Sequence, residues 1–180
     1  MSDYFKKMIV DNTIRAGLKH HKEAIVPILF NWTNSSDPNI RRMVSESLRP
    51  MADIKWLRKS DQNHEIIEIL ALLLEDPSEY VRKSVANNLK DLTKYMPEKI
   101  LEKAFSWIKV RKISVTDDLS SKSKNDLSKD NFYFIWTLKH AFRWLKERNP
   151  EFHPALEQLL GKNYVLYYDE KKNKRALPKK

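Results

Sequence analysis

The chain has 180 residues, 41% of them hydrophobic, which is enough for one ordinary domain with a core and short for two. Its net charge of +10 favours an anionic partner, and of nucleic acid and an acidic membrane surface we favour nucleic acid. The longest apolar run, Ile69 to Leu74, is too short to cross a bilayer, so no membrane insertion is expected. With no cysteines and only two glycines, thiol chemistry, disulfides, thiolate metal sites and glycine-rich phosphate loops are excluded.

Apolar residues recur at helical spacing along almost the whole chain and predict seven or eight helices. The pattern begins near Phe5 and is clearest in the segments 24–33, 65–74 and 99–108. Two Asp-Pro pairs, at 37–38 and 76–77, each place a capping side chain before a proline that suits a first helical turn. Both pairs are therefore predicted to begin helices.

A repeat joins these elements. The segment NIRRMVSESLR (39–49) aligns position for position with YVRKSVANNLK (80–90), so that Arg41 matches Arg82 and Val44 matches Val85. Upstream of each lies an apolar segment that suits a first helix, and a third unit pairs 99–108 with a second helix predicted over Phe132 to Leu145. Two-helix units of about 40 residues are typical of HEAT-type stacking. We therefore predict an all-α, curved α-solenoid of HEAT-like repeats over residues 1–162.

Two segments fall outside this pattern. Residues 114–130 are polar and serine-rich without an apolar period, and we expect a mobile loop inside the third unit. Residues 163–180 are predicted to be a basic C-terminal tail, in which positions 169–180 carry six basic and two acidic residues. The remaining chain keeps a charge of +6, so the basic character is not confined to the tail.

The second helices carry the charged residues that could bind a ligand. Lys83 and Asp91 share one helix face, and Arg42 and Glu46 do the same one repeat earlier. If these helices line the concave side, their cations form a basic track for a phosphate backbone. The track would contain Arg41, Arg42, Arg49, Arg82, Lys83, Lys90, Lys94, Lys139 and Arg143. Spacing alone favours the other interpretation, in which Arg42 with Glu46, and Lys83 with Asn87 and Asp91, are solvated helix pairs worth about 0.2–0.5 kcal/mol each.

The five tryptophans divide into two groups. Trp32, Trp107 and Trp144 lie at apolar-stripe positions and are predicted to be core residues. Trp56 lies in a polar connection between repeats, and Trp136 lies near the start of the third second-helix. An aromatic face beside carboxylates can hold a cationic base by cation–π attraction, so these two are candidates for a binding wall.

Metal and histidine chemistry find little support. The segment HEIIE (64–68) begins like a zinc-protease helix, but Glu68 replaces the second histidine, so no metal site is predicted. The isolated His140 is predicted to be a surface or packing residue.

Three blocks, IRRMVSESLRP, DPSEYVRKSVANNLKDLTKYMPE and FIWTLKHAFRWLKERNPEFHPALEQLLG, resemble the AlkC/AlkD-type DNA alkylation repair family, nearer AlkC. The resemblance spans residues 24–161 and agrees with the predicted solenoid. It implies a monofunctional DNA glycosylase that removes N3- and N7-alkylated purines, whose positive charge makes the base a good leaving group. It also implies no cofactor and no metal.

The resemblance further assigns residues. Glu46 and Asp91 would stabilise the sugar cation or position water, and Trp56 and Trp136 would form the wall around the lesion. The phosphates of double-stranded DNA would be held by Arg42, Arg49, Arg82, Lys83 and Lys139. We expect a cytoplasmic monomer without membrane insertion. The alternative is a catalytically inactive HEAT scaffold that binds DNA or a protein.

Overall fold

A computed structural model describes residues 13–50, 53–113 and 129–161, and all regular structure in these ranges is helical. The helices are α1 Arg15–His20, α2 Lys22–Trp32, α3 Pro38–Ser47, α4 His64–Ala71, α5 Glu79–Leu92, α6 Pro97–Arg111, α7 Lys129–Ala141, α8 Arg143–Arg148 and α9 His153–Leu160. Short 3-10 turns span Lys55–Arg58 and Pro150–Phe152. No helix among the described residues is long and apolar enough to cross a membrane. The all-α prediction is confirmed.

The helices are arranged as three consecutive pairs, α2 with α3, α4 with α5, and α6 with α7. The second helices α3, α5 and α7 pack side by side and make the most extensive helix–helix contacts among the described residues. The first helix α2 packs against α3 and against the next first helix, α4. First and second helices therefore form two layers, as expected for HEAT-like stacking.

The core lies between these layers and follows the repeat. Val44 and Leu48 of the first unit are fully buried, and so are their counterparts Val85 and Leu89 in the second. Burying one such side chain fully contributes about 1.5–3 kcal/mol, so the stripe of each second helix stabilises the stacking of neighbouring units.

The repeat extends to hydrogen bonds of the matched arginines. Arg41 donates from Nη1 to the carbonyls of residues 35–36 at 2.7 and 3.2 Å. Arg82 donates from Nη1 to the carbonyls of residues 76–77 at 2.5 and 3.0 Å. Each arginine thus binds the turn between the two helices of its own unit. Both guanidinium groups have an intramolecular role that the alignment alone did not reveal.

The two Asp-Pro pairs do not play equivalent parts. Asp37 caps α3 as predicted, because its side chain accepts a hydrogen bond from the backbone N–H of Asn39 at 2.7 Å. The helix α5 begins only after Ser78, and Asp76 instead accepts from the Ser78 N–H at 2.8 Å and from the side chain of Arg41. The prediction that Asp76 caps a helix is therefore wrong, since its carboxylate binds the preceding repeat.

The third unit differs from its predicted bounds. α7 begins at Lys129, three residues before the predicted Phe132, and ends at Ala141. The helix is interrupted at Phe142 and α8 begins at the next residue, so the single helix predicted up to Leu145 is two helices. The greater part of the predicted mobile loop and the whole basic tail lie outside the described residues, and both stay predictions.

Candidate active site and nucleic-acid interface

Glu46 and Asp91 come from α3 and α5 and lie on either side of one guanidinium. Arg49 Nη1 is 3.4 Å from Glu46 Oε2, and Arg49 Nη2 is 2.5 Å from Asp91 Oδ2. The carboxylate side chains are 24% and 14% exposed, so both are largely withdrawn from solvent. The structure thus brings the two predicted catalytic acids together. We call Glu46 and Asp91 the acid pair.

Two lysines complete the surroundings of Asp91. Lys94 Nζ lies 2.9 Å and Lys90 Nζ 3.2 Å from Asp91 Oδ1. Burial raises the pKa of Asp91, but hydrogen bonds from Arg49 and Lys94 and the charges of Lys90 and Arg49 outweigh it and hold that pKa below its usual value. Asp91 is therefore ionised at neutral pH.

Glu46 is fixed from its own helix and from the next repeat. Arg42 Nη2 lies 3.2 Å from Glu46 Oε1, which gives the pair predicted from the four-residue spacing. The hydroxyl of Ser84 on α5 donates to the same oxygen at 2.8 Å. Arg42 itself lies over the ring of Tyr80, 3.8 Å from its centroid. Glu46 therefore takes part in the contact between two units and is not merely one half of a solvated helix pair.

Trp144 lies beside the acid pair and was assigned to the core by its sequence pattern. Lys90 Nζ and Lys94 Nζ lie 3.8 and 4.5 Å from its ring centroid, and the Arg143 guanidinium lies at 6.0 Å. The half-buried ring thus receives the same two lysines that bind Asp91. The core prediction for Trp144 is wrong, because the buried stripe of α7 continues into α8 through Leu145, which is 1% exposed, and Trp144 lies outside this core cluster. Because Trp144 and Leu145 are adjacent and both apolar, the sequence pattern alone did not show which of the two is buried.

Trp136, a predicted wall residue, lies in the layer of second helices. Its ring stacks on His140 with centroids 3.9 Å apart, and the Arg82 guanidinium lies 5.3 Å from its centroid. Burial lowers the pKa of His140 to about 4, and the charge of Arg143 adds to this effect. His140 is therefore neutral at physiological pH, and its stacking supports the predicted packing role.

Trp56, the other predicted wall residue, has different neighbours. Its indole N–H donates to the carbonyl of Leu18 at 3.3 Å, its ring packs against the core, and Lys22 Nζ lies 4.9 Å from its centroid. It also lines an open cavity of about 590 Å³ beside α1, α2 and α4, whose lining includes neither member of the acid pair. The polar contacts of Trp56 are thus with α1 and α2, and the structure does not place it with Trp136.

The predicted basic track divides into buried and accessible groups. Lys139 and Arg82 are 9% and 5% exposed, and Lys90 is 6% exposed beneath Trp144. Lys83 is the most accessible, with a side chain 59% exposed and an ion pair to Glu79 at 2.6 Å. Arg42, Lys94 and Arg143 are intermediate or exposed and line the same layer as the acid pair.

No metal site accompanies these groups in the part of the chain that the structure describes, because no three His, Asp or Glu side chains there come together to hold an ion.

Residues 3–105 match the profile of a family described as DNA alkylation repair enzyme, over more than half of the chain. The chain belongs to this family. The matched range contains both members of the acid pair and the first two helical units of this family member.

Two relatives extend the comparison of this DNA alkylation repair family member. The uncharacterized protein YhaZ of Bacillus subtilis (strain 168) is 31% identical over 140 residues, which cover 75% of this chain and 33% of YhaZ. The solved structure of Pseudomonas fluorescens alkylpurine DNA glycosylase AlkC, bound to DNA containing an abasic site analog, matches with a TM-score of 0.60 and 26% identity over 82% of this chain and 36% of AlkC. The chain thus spans about a third of each relative, and the resemblance to the AlkC/AlkD-type family is confirmed.

Proposed function

We propose that this protein removes cationic N3- and N7-alkylated purines from double-stranded DNA by hydrolysing the N-glycosidic bond. The observation that carries the proposal is the acid pair, in which Glu46 and Asp91 from successive second helices meet at one guanidinium in a layer that also presents cations and aromatic rings. The structural similarity to a protein described as an alkylpurine DNA glycosylase supports the same reaction.

The main chemical requirement of this reaction is an ionised carboxylate near the sugar. When the bond between the base and C1′ breaks, its electron pair leaves with the base and neutralises the positive charge there. The sugar becomes oxocarbenium-like, and a nearby ionised carboxylate stabilises it. Water then adds to C1′, and its proton passes to a carboxylate or to solvent. Asp91 suits this task because its lowered pKa keeps it charged.

The accessible cations of the same layer would hold the duplex. Arg42, Lys83 and Arg143 lie on α3, α5 and α8, Lys94 lies just after the end of α5, and phosphates bound there would run past the acid pair. Trp136 on α7 and Trp144 on α8 offer aromatic rings, and a cationic base would bind against such a ring by cation–π attraction. On this proposal the protein acts as a monomer in the cytoplasm.

One observation favours a second candidate, a catalytically inactive HEAT scaffold that binds DNA without releasing a base. Both oxygens of Asp91 already pair with cations, Oδ2 with Arg49 and Oδ1 with Lys90 and Lys94. A carboxylate neutralised in this way can have a purely structural role. Removing one partner of a buried ion pair strongly destabilises the folded protein, so such a pair is needed for stability whether or not it takes part in catalysis.

One assay separates the two candidates. A duplex carrying N3-methyladenine or N7-methylguanine is incubated with the protein, released base is measured by chromatography, and abasic sites are measured by alkaline strand cleavage. We expect release by the wild type and a loss of about 10²–10³-fold in Asp91→Asn, because an electrostatic stabiliser is removed. Glu46→Gln should also lose activity.

The matched control is Glu68→Gln, which removes an ion-paired carboxylate from α4, where Glu68 pairs with Lys103 at 2.7 Å. This variant should keep wild-type activity. Tight binding of the wild type to the alkylated duplex with no released base would favour the scaffold, and an equal loss in Glu68→Gln and Asp91→Asn would remove the special role of the acid pair.

A further inference from the structure

We propose that Arg49 is a positioning residue, whose guanidinium holds the Glu46 and Asp91 carboxylates of successive repeats together and does not bind a DNA phosphate. This inference rests on the proposed function and revises the role that the basic track suggested for Arg49. It also names a property of the acid pair that can be measured without any reaction.

The contacts of Arg49 require a forked side chain. Its Nη1 reaches Glu46 on its own helical unit and its Nη2 reaches Asp91 on the next, at 3.4 and 2.5 Å. Lys90 and Lys94 contact Asp91, and Arg42 contacts Glu46, so among the described residues Arg49 is the side chain that contacts both acids. A lysine carries the charge but has no planar fork to bridge two carboxylates.

The backbone that carries Arg49 is itself held in place. Arg15 is 3% exposed, and its Nη1 donates to the carbonyls of Ser47 and Arg49 at 3.2 and 3.1 Å, where α3 ends. Its Nη2 donates to Asp53 Oδ1 at 2.6 Å. Carbonyls at a helix C-terminus lack intrahelical partners, and Arg15 supplies them. The backbone from which the Arg49 side chain extends is therefore held in place by Arg15.

The charge of Arg49 offsets the repulsion between the two carboxylates that it contacts. Two carboxylates that approach each other raise each other's pKa, whereas a cation between them favours the ionised form of both. Arg49 also has a buried Nε for which the described residues provide no acceptor, so its hydrogen bonds run through the two Nη atoms that the acid pair uses. An Arg49 that turned to a phosphate would leave Asp91 without one of its strongest partners.

The experiment uses the full chain with Arg49→Gln and Arg49→Lys, compared with Arg42→Gln, which removes the same charge from a residue that contacts only Glu46 of the pair. The pKa of Asp91 is measured by carboxyl carbon-13 NMR. We expect Arg49→Gln to raise it by about one unit and Arg49→Lys by less, because the lysine keeps the charge. Arg42→Gln should leave the Asp91 pKa unchanged. An unchanged Asp91 pKa in Arg49→Gln would overturn the proposal.

Two functional measurements accompany the titration. In single-turnover base release, the acid limb of the pH–rate profile should move to higher pH in Arg49→Gln by the same shift as the Asp91 pKa. Affinity for a duplex with an uncleavable abasic-site analogue should change less than about threefold, and its salt slope should stay constant. A salt slope smaller by about 0.9 with an unmoved acid limb would identify Arg49 as a phosphate ligand.

Failure of the proposed function is distinguishable from failure of this inference. If the wild type binds alkylated duplex but releases no base, the glycosylase proposal falls, and the NMR titration alone still decides the positioning role. A raised Asp91 pKa in Arg49→Gln then supports it, and an unchanged one overturns it. Arg49→Lys serves for both measurements if Arg49→Gln does not fold.

Discussion

Arg41 and Asp76 join successive repeats through two hydrogen bonds, from Nε to Oδ2 at 2.6 Å and from Nη2 to Oδ1 at 2.9 Å. The side chains are 12% and 2% exposed, so the pair is shielded from water. The hydrogen bonds that Arg41 donates to Asp76 and the charge of that carboxylate raise the pKa of Arg41, although burial opposes this. A partner removed from such a pair leaves an uncompensated buried charge.

Asp76→Asn should therefore lower the free energy of unfolding by about 3 kcal/mol, measured by urea denaturation with an unchanged m-value. Glu68→Gln is the control, because it breaks an ion pair whose carboxylate side chain is 47% exposed, and it should cost less than about 1 kcal/mol. Equal effects of the two substitutions would show that the Arg41–Asp76 pair does not hold the units together.

Lys83 provides a test of the DNA-binding layer. Lys83→Gln should reduce the slope of log K against log salt by about 0.9, because one phosphate contact is lost, whereas Lys109→Gln should leave the slope unchanged. Lys109 is an exposed lysine on α6, in the layer of first helices. Fluorescence anisotropy with a labelled duplex between roughly 50 and 200 mM salt measures both slopes. The same reduction in both variants would contradict a preferred face.

The half-buried imidazole of His140 predicts a pH dependence of stability. Its pKa is about 4 in the folded protein and near 6.5 when unfolded, so between these values the unfolded state takes up the proton first. The free energy of unfolding should therefore fall as pH decreases from 6.5 towards 4, by up to about 1.4 kcal/mol per pH unit from this residue.

The measurement is urea denaturation at several pH values for the wild type and His140→Asn. The variant should show a shallower dependence over this window, since its side chain does not titrate. NMR of the His140 ring in the folded protein should show no titration above pH 6. Identical pH dependences in the two proteins would refute the burial of His140 in a neutral form.

Trp56 and Trp144 should respond in opposite ways to the same substitution. Trp56→Leu should cost about 3 kcal/mol of stability, because it removes core packing and the hydrogen bond to Leu18, and base release measured on the folded protein should change little. Trp144→Leu should cost only about 1 kcal/mol but slow base release by about tenfold, since its ring lies against the lysines of Asp91. Thermal melts measure the stability of both variants, and single-turnover assays measure base release. The reversed pattern would support the prediction that Trp56 forms part of the wall around the lesion.

The sequence was most informative where a signal repeats along the chain. The match of Arg41 with Arg82 and of Val44 with Val85 predicted stacked pairs, and the four-residue spacing of Arg42 and Glu46 predicted their contact. These features are local or periodic, so helix geometry is sufficient to read them.

What the sequence concealed depends on distant partners or on an irregularity. Asp76 looked like a helix cap because its partner Arg41 belongs to another unit and becomes its neighbour only through stacking. The dual contact of Arg49 was hidden for the same reason, since Glu46 is three residues away but Asp91 is on the next second helix. Trp144 was misassigned because it stands directly before Leu145, and it is Leu145 that is buried in the core.

The acid pair has one member on each of two neighbouring units, with no rigid element shared between them. Any movement of α3 relative to α5 would change the distance between the Glu46 and Asp91 carboxylates, so on the proposed function the activity depends on how the two units are stacked.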